Sequence, residues 1–257
     1  YEPVYGDDKE SGLIKLIIKK ELKDALTKLE HFSHGVLFTK DEQQIYCYVV
    51  KILEVRVKTG EMLVEAVDAI QSFRGVLADI KPYYPCEEIV DVYEKKDEAY
   101  VPVPFRGKPV GEYLFVNNCG MIKLHESEIL PAEEIAGLLE RIKPGDYVRV
   151  LWWFHKFDDK RYRSCLTCNP PYENAPRSGV FATRSPVRPN PLASTVVKIK
   201  SIDKYNQSIS ISGFDGFEHS VVLQLMPYRH RAFSDVRVPK WVSHWTNCKV
   251  FYDNPEM

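Results

Sequence analysis

Similar apolar, β-branched runs recur in two halves of this chain, and this repetition constrains the fold more than any other feature of the sequence. Val49-Val50-Lys51-Ile52 returns as Val196-Val197-Lys198-Ile199, and Lys81-Pro82-Tyr83 returns as Met226-Pro227-Tyr228, at offsets of 147 and 145 residues. Coincidence among common residues is the alternative explanation. The shared order of strand, helix, strand and strand ending at Pro-Tyr favours an internal duplication.

Most of the strongly patterned segments have the composition of β-strands. Two short amphipathic helices are predicted, at residues 20–29 and from Pro131 onward, where a proline and acidic residues form a first turn. Strands are predicted at 12–18, 36–38, 46–57, 62–70, 76–83, 115–116, 121–124, 147–154, 196–202, 208–213 and 221–226. The predicted fold class is mostly β, as two tandem copies of a barrel-like sheet.

A charged, proline-containing stretch separates the two halves and has the character of a linker. We therefore predict a first domain at residues 1–100, a linker at 101–112 and a second domain at 113–257. The halves are unequal, because the second contains an insertion of residues 156–191 where the first passes directly from strand to strand.

Composition places limits on the class of protein. With 44% hydrophobic and 28% charged residues the chain resembles a soluble globular protein, and no apolar run approaches the ~18 residues of a membrane span. Six scattered cysteines are too few for a disulfide scaffold, which favours the reducing cytoplasm. The chain opens on Tyr1 rather than on a methionine, so a place within a larger protein is left open.

Positive charge is concentrated in one region, although the whole chain carries a net charge of −1. Residues 156–200 contain nine Lys and Arg against three acidic residues. A local basic face of this kind suits tRNA or another polyanion, and a solvated surface is the alternative.

Within that region, the loop at residues 177–191 holds three arginines, three prolines and a glycine. Proline fixes φ and removes a backbone donor, so this segment cannot continue a helix or a central strand. We expect a stiff, extended loop whose guanidinium groups bind a phosphate or carboxylate. A surface connector is the alternative.

The segment from Gly179 to Pro191, GVFATRSPVRPNP, resembles the signature of the TsaA-like (TrmO) family. Similarity extends to Phe154-His155, to residues 29–34 and 79–83, and to the tail at 227–241. The resemblance implies a small β-barrel methyltransferase that uses S-adenosylmethionine. It further implies N6-methylation of threonylcarbamoyladenosine beside the anticodon of a tRNA, by a dimeric protein.

The resemblance also implies site residues. The predicted cofactor-pocket residues are Phe154, Phe181, Arg184, Ser185, Arg188, Asn190 and Leu192. Arg177 and Lys81 are predicted to bind substrate, and no metal is expected. A proton acceptor is needed for an N6 substrate, and His155 is the candidate nearest in sequence, with Asp79, Asp215 and Glu218 as weaker ones. His155 is equally compatible with a hydrogen-bonded residue at the end of a strand.

The chain departs from the family pattern in one informative place. Where the family has Asp-Ile-Lys-Pro-Tyr, the second half has Gln224-Leu225-Met226 before its Pro-Tyr, and only the first half keeps Asp79 and Lys81. We therefore expect an intrachain pseudo-dimer with one composite site, a homodimer being the alternative. This hypothesis fails if Asp79 and Lys81 lie far from Arg184 and Arg188.

Two further motifs have simpler interpretations. Cys165 and Cys168 are predicted to be free thiols, because a zinc site would need two more ligands. Trp152-Trp153 is predicted to be part of a buried strand. The function predicted from sequence is thus a cytoplasmic tRNA methyltransferase. The rival is a non-catalytic nucleotide- or RNA-binding module within a larger protein.

Overall fold

A computed structural model describes residues 2–4, 13–40, 45–67, 76–83, 109–116, 119–127, 130–228 and 236–245. Over these residues the chain is mostly β, which confirms the predicted class. The strands are β1 Glu2–Val4, β2 Leu13–Ile17, β3 His34–Lys40, β4 Ile45–Arg56, β5 Glu61–Ala66, β6 Val76–Pro82, β7 Gly111–Val116, β8 Cys119–Leu124, β9 Tyr147–Trp153, β10 Thr167–Cys168, β11 Ser178–Gly179, β12 Leu192–Asp203, β13 Ser208–Ser212 and β14 Val221–Pro227. The α-helices are α1 Ala132–Arg141 and α2 Lys160–Arg163.

The chain divides into two compact units that are discontinuous in sequence. The first comprises Tyr1–Cys86, Arg161–Asn190 and Arg231–Met257, and the second comprises Glu87–Lys160 and Pro191–His230. The loop of residues 177–190 therefore belongs to the same unit as the first half of the chain.

These units differ from the domains predicted at 1–100 and 113–257. The prediction placed the inserted segment in the second domain, together with its neighbours along the chain. In the structure, Arg161–Asn190 belongs to the unit that contains the first half of the chain. Residues 101–108 of the predicted linker lie outside the described residues, and Gly111 and Glu112 begin β7. Among the described residues, no helix has both the length and the apolar character required to cross a membrane.

The first unit is built on one antiparallel sheet with the strand order β1-β2-β5-β4-β3-β6. Its strands alternate in exposure where one face is covered, as in β2, where Ile14 and Leu16 are buried and their neighbours are exposed. Strand β6 lies at one edge and pairs with β3. A bulge interrupts this pairing at Ala78, because Asp79 pairs with Phe38 and Leu77 with Thr39.

The predicted amphipathic α-helix at residues 20–29 was wrong in type. Residues Lys20–Leu26 and Leu29–His31 form two 3₁₀ helices, separated by Lys28 at a φ of 70°. A non-glycine residue with positive φ interrupts a helix. The apolar positions were predicted correctly, since Ala25, Leu26 and Leu29 are all buried.

The second unit is a closed six-stranded barrel with the cyclic order β7-β8-β13-β12-β9-β14. Trp152, Tyr113 and Phe214 lie in its core, with ring centroids 4.9 Å apart for Trp152–Phe214 and 4.3 Å for Tyr113–Phe214. Burial of Trp152 confirms that this position belongs to the interior. Helix α1 buries Ile135 and Leu139, and it begins at Ala132, one residue after the predicted start at Pro131.

Candidate functional site

The arginine- and proline-rich loop adopts a fixed conformation within the first unit. It runs from β11 through a 3₁₀ turn at Val180–Ala182 into a segment without regular structure. The turn is fully buried, which follows from its apolar side chains. Prolines at three later positions prevent that segment from forming either a helix or a ladder. As predicted, the proline-containing part of the loop forms neither helix nor strand.

Gly179 allows the backbone of the loop to lie directly against the first 3₁₀ segment. Its N–H donates to the Thr27 carbonyl at 2.8 Å. A Cβ at this position would collide with the backbone carbonyl of Ala25. Only glycine allows this approach, so the residue fixes where the loop starts on the unit.

Arg188 joins the loop to strand β6 and is fully buried. Its Nη1 donates to Asp79 Oδ2 at 2.9 Å, and its Nη2 donates to the Thr183 carbonyl at 2.9 Å and to the Val180 carbonyl. One guanidinium thus closes the loop on itself and ties it to the sheet. The sequence hypothesis required Asp79 to lie near this loop, and it does.

Asn190 forms the second attachment to β6. Its Nδ2 donates to the carbonyl of Ala78 at 2.8 Å, which is the bulged residue of that strand. A bulged residue does not pair across the ladder, so its carbonyl is available to a side chain. Arg163, which sequence reasoning counted only as part of the basic region, donates to Asn190 Oδ1 and to the Pro189 carbonyl.

Lys81 lies next to Asp79 inside the unit. Its Nζ is 3.3 Å from the same Asp79 Oδ2 that receives Arg188. Burial, reinforced by the nearby Arg188 charge, lowers the pKa of Lys81 to about 7, although Asp79 opposes this change. Lys81 is therefore poised to gain or lose a proton near neutral pH.

The remaining loop residues have distinct environments. Phe181 is buried, Arg184 is half-buried, and Ser185 Oγ accepts from the Val187 N–H at 3.2 Å. Arg177 is exposed and donates to Thr167 Oγ1 at 3.0 Å. Ser185 and Arg177 thus contribute to the local fold of the loop. Their predicted roles toward cofactor and substrate stay predictions.

Phe154, His155 and Leu192 belong to the second unit rather than to the loop's unit. The Phe154 N–H donates to the Pro191 carbonyl at 2.8 Å. His155 is only 2% exposed, and burial, with a contribution from Lys156, lowers its pKa to about 4. His155 is therefore uncharged at neutral pH.

The cationic residues of the predicted basic face differ in exposure and belong to both units. Of the nine cationic residues at 156–200, Arg188 is buried while six are exposed, namely Lys160, Arg161, Arg163, Arg177, Lys198 and Lys200. Lys198 and Lys200 lie on β12 of the barrel, whereas Arg161, Arg163 and Arg177 share the first unit with the loop. Part of the positive charge counted in the sequence, that of Arg188, is therefore buried inside the protein and does not contribute to a basic surface.

The two cysteines near the loop, Cys165 and Cys168, are free and half-buried. Cys168 Sγ lies 3.6 Å from Thr183 Oγ1. Across the described part of the chain, no group of three or more His, Cys, Asp or Glu side chains is placed to hold a metal ion.

Fold and site together define a mostly β protein with a closed barrel and a cationic loop docked on a separate sheet. Comparison with known proteins gives the family. The family model of the tRNA-methyltransferase O N-terminal domain matches residues 116–234. A probable S-adenosyl-L-methionine-binding protein of Methanocaldococcus jannaschii is 40% identical over 94 residues, which are 36% of this chain and 73% of that protein. The chain belongs to the tRNA-methyltransferase O family.

Other relatives match smaller shares of their own length. A tRNA (adenine(37)-N6)-methyltransferase of Mus musculus is 33% identical over 98 residues, which are 38% of this chain and 21% of that enzyme. The crystal structure of TrmO from Pseudomonas aeruginosa is 21% identical, with a TM-score of 0.33, covering 49% of this chain and 57% of the other. In both comparisons this chain matches only part of the other protein.

Proposed function

We propose that this protein is a cytoplasmic methyltransferase that transfers a methyl group from S-adenosylmethionine to N6 of an adenosine in tRNA. The observation that carries the proposal is the fixed placement of the loop, through Arg188 and Asn190, against a strand that retains Asp79 and Lys81. The names of the relatives support both the cofactor and the class of nucleic acid.

The donor set fits the proposed cofactor. S-adenosylmethionine supplies a methyl group on a sulfonium, whose transfer chiefly requires alignment with the acceptor. Arg184 and Lys81 supply cationic donors suited to a carboxylate, and Arg188 ties the loop that carries Arg184 to strand β6. In this proposal Arg188 positions the loop, because its guanidinium is buried and bonded to the protein.

The finer substrate in our proposal is threonylcarbamoyladenosine. Its N6 must lose a proton, and an uncharged imidazole such as that of His155 can accept one. Asp79 is less suited to this role, because Arg188 and Lys81 both engage its Oδ2. The exposed Arg161, Arg163 and Arg177 are the proposed contacts to the tRNA backbone.

The tandem arrangement is also part of the proposal. Strands β1-β2-β5-β4-β3-β6 and β7-β8-β13-β12-β9-β14 follow one another in corresponding order. The pairing register agrees as well. His34 pairs with Lys51 in the first sheet, and Tyr147 pairs with Lys198 in the barrel. Lys51 and Lys198 are 147 residues apart, which is the offset of the sequence repeat. These agreements support two copies of one β unit.

The same register identifies the counterparts of the site residues. Asp79 pairs with Phe38 just after the bulge in β6, and Gln224 pairs with Leu151 just after the bulge in β14. Lys81 corresponds in this way to Met226. The first half thus keeps the charged pair and the second half supplies the loop. This division supports one composite site completed within a single chain.

The rival interpretation was a non-catalytic nucleotide- or RNA-binding module. Its main support was the absence of an aspartate and a lysine from the half that carries the loop. Because Asp79 and Lys81 lie beside the loop in the first unit, that objection to an enzyme is removed.

Calorimetry followed by analysis of tRNA tests the proposed function. We expect S-adenosylmethionine and S-adenosylhomocysteine to bind, and incubation with tRNA carrying threonylcarbamoyladenosine to add one methyl group, seen by mass spectrometry of nucleosides. Arg184→Met should weaken cofactor binding about tenfold, whereas Arg161→Met should leave it unchanged. Binding without methylation of any tRNA would support the rival, and absence of binding would overturn the cofactor assignment.

Mixing two variants tests whether one chain completes its own site. We expect Lys81→Met and Arg184→Met chains each to lose most activity, and an equimolar mixture to stay inactive. Recovery of a substantial part of wild-type activity on mixing would show that two chains share the site, as in a homodimer.

A further inference from the structure

Three aromatic side chains of the first unit form a row that reaches from its interior to its surface. Phe32 is buried, and its ring meets that of Trp241 edge-on, with ring centroids 5.9 Å apart and an interplanar angle of 85°. Tyr172 lies next to Trp241, with centroids 6.4 Å apart and the two rings within 18° of parallel. Trp241 and Tyr172 are both half-buried, so part of each ring is in contact with solvent. The row therefore places aromatic surface at the exterior of the unit.

Tyr172 is held by a segment whose backbone has little freedom. Residues 169–177 connect β10 to β11, and within them Ala175 donates its N–H to the Tyr172 carbonyl at 3.2 Å. Asn174 has a φ of 61°, which asparagine tolerates better than most residues do. Prolines at positions 170, 171 and 176 fix φ on both sides of this turn. The tyrosine is thus positioned before any ligand binds.

Trp241 is anchored by a different part of the chain, residues 236–245. The Arg237 N–H donates to Ser33 Oγ at 2.6 Å, and the Ser33 N–H donates to the Arg237 carbonyl at 3.2 Å. Val238 and Val242 are buried on either side of the tryptophan. The segment is therefore fixed to the beginning of β3, and its tryptophan meets Tyr172 in a defined geometry.

The two segments that carry the aromatic pair also carry exposed positive charge. Arg177, Arg237 and Lys240 are exposed, and Glu173 is the single acidic residue in the sequence of residues 169–177 and 236–245. Half-exposed aromatic rings flanked by cations suit a single-stranded nucleic acid, because bases stack on the rings while the cations contact phosphates. An apolar protein partner would have no use for the surplus of cations.

We propose that Tyr172 and Trp241 form a stacking platform for an unpaired base of the tRNA, with Arg177 in contact with an adjoining phosphate. RNA loops present unstacked bases, and aromatic side chains bind them through the face that every base has. This inference rests on the proposed function, from which it takes the nucleic acid. It adds a contact to a base other than the one that is methylated.

Stacking of this kind tolerates different bases, so the platform contributes affinity and orientation rather than a sequence requirement. Two probes separate stacking from phosphate contacts. One is a short single-stranded RNA, and the other is the same strand with abasic positions, which keeps the phosphates and lacks the bases. Binding of both is measured by fluorescence anisotropy at one salt concentration.

We expect the wild-type protein to bind the strand with bases about tenfold more tightly than the abasic strand. Tyr172→Leu should remove most of this preference, whereas Tyr172→Phe should keep it because the ring is retained. The affinity for the abasic strand should be equal in the wild type and in Tyr172→Leu. That equality shows that the variant is folded and that its phosphate contacts are intact.

Two further variants serve as controls. Tyr205 lies in the second unit and is 94% exposed, so Tyr205→Leu removes an exposed tyrosine elsewhere and should leave the preference unchanged. Arg177→Met should weaken both strands to the same extent, because it removes a phosphate contact and no base contact. The slope of log affinity against log salt concentration should fall by about 0.7 in this variant.

Tryptophan fluorescence provides a second readout. A base that stacks on the platform should quench Trp241, the abasic strand should not, and Trp241→Phe should lose the quenching while it keeps the preference. Equal affinity of the wild type for the two strands, binding of neither strand, or a preference that survives in Tyr172→Leu overturns the inference. None of these results affects the proposed function, which fails separately if S-adenosylhomocysteine does not bind or tRNA is not methylated.

Discussion

Strands β6 and β14 hold corresponding places in two sheets of the same order, yet their side chains differ in charge. Strand β6 presents Asp79 and Lys81 to the docked loop, whereas β14 has Gln224 and Met226. The comparison shows that the two strands share a pairing register while only β6 carries a charged pair. A buried ion cluster is costly to maintain unless its partners are present. The charged pair therefore persists beside the loop that supplies Arg188.

The largest predicted effect is on the free energy of unfolding, when a substitution in β6 is compared with one in β14. Asp79→Asn leaves Arg188 and Lys81 buried without a carboxylate, and we expect a loss of about 3–5 kcal/mol in the free energy of unfolding. Gln224→Ala should cost no more than about 1–2 kcal/mol. Urea unfolding at pH 7 measures both. Equal losses would mean that the two strands are not distinguished by this cluster.

A second contrast concerns two glycines, one in each unit. Gly179→Ala places a Cβ against the Ala25 carbonyl, and we expect a loss of about 1–3 kcal/mol together with faster proteolysis of the loop. Gly137→Ala in helix α1 meets open space and should gain up to about 1 kcal/mol from helix propensity. Thermal unfolding and limited trypsin digestion measure these effects. A neutral Gly179→Ala would contradict the close approach of the loop.

Stability should also depend on pH through Lys81. Between its folded pKa of about 7 and its ordinary value of 10.5, the unfolded chain binds a proton that the folded chain lacks. Stability therefore rises with pH through this window, by at most about 1.4 kcal/mol per pH unit. The rise should be smaller in Lys81→Met. Urea midpoints at pH 7 and pH 9 test this, and parallel pH dependence in both proteins would contradict it.

The last predicted effect lies at acid pH and concerns the second unit. The folded pKa of His155 is about 4 and its ordinary value is 6.5, so stability present above pH 6.5 is lost as pH falls toward 4. His155→Gln should reduce this loss of stability at acid pH by about 1–3 kcal/mol. The exposed His125, replaced in His125→Gln, is the control. Unfolding midpoints at pH 7 and pH 4.5 supply the measurement, and an unchanged acid limb in His155→Gln would count against a buried neutral imidazole.

Much of the fold could be predicted from local patterns. Strands such as β9 and β12 were located by their β-branched and aromatic runs, and helix α1 by its proline and acidic first turn. The segment at 20–31 was misassigned because apolar spacing does not distinguish an α-helix from short 3₁₀ turns. Strand β1 was missed, because its pairing with β2 is not visible in a three-residue segment.

The candidate site was predictable in part. Asp79, Lys81 and the loop were singled out from their residue types, and the structure places them together. The burial of Arg188 was not foreseen, because the carbonyls of Val180 and Thr183 that it binds are backbone groups present in any sequence. Arg163 and the Ala78 carbonyl were missed for the same reason. Their roles depend on which hydrogen-bonding groups the fold places next to them.

The sequence by itself determined the mostly β class, the corresponding order of strands in the two halves and the absence of helix and strand from the proline-containing part of the loop. These depend on hydrophobic periodicity and on proline, which act over a few residues. Only the tertiary structure decided that residues 161–190 join the first unit and that Arg188 is an internal tie. Those outcomes depend on contacts between residues as far apart as Asp79 and Arg188, which no local pattern encodes.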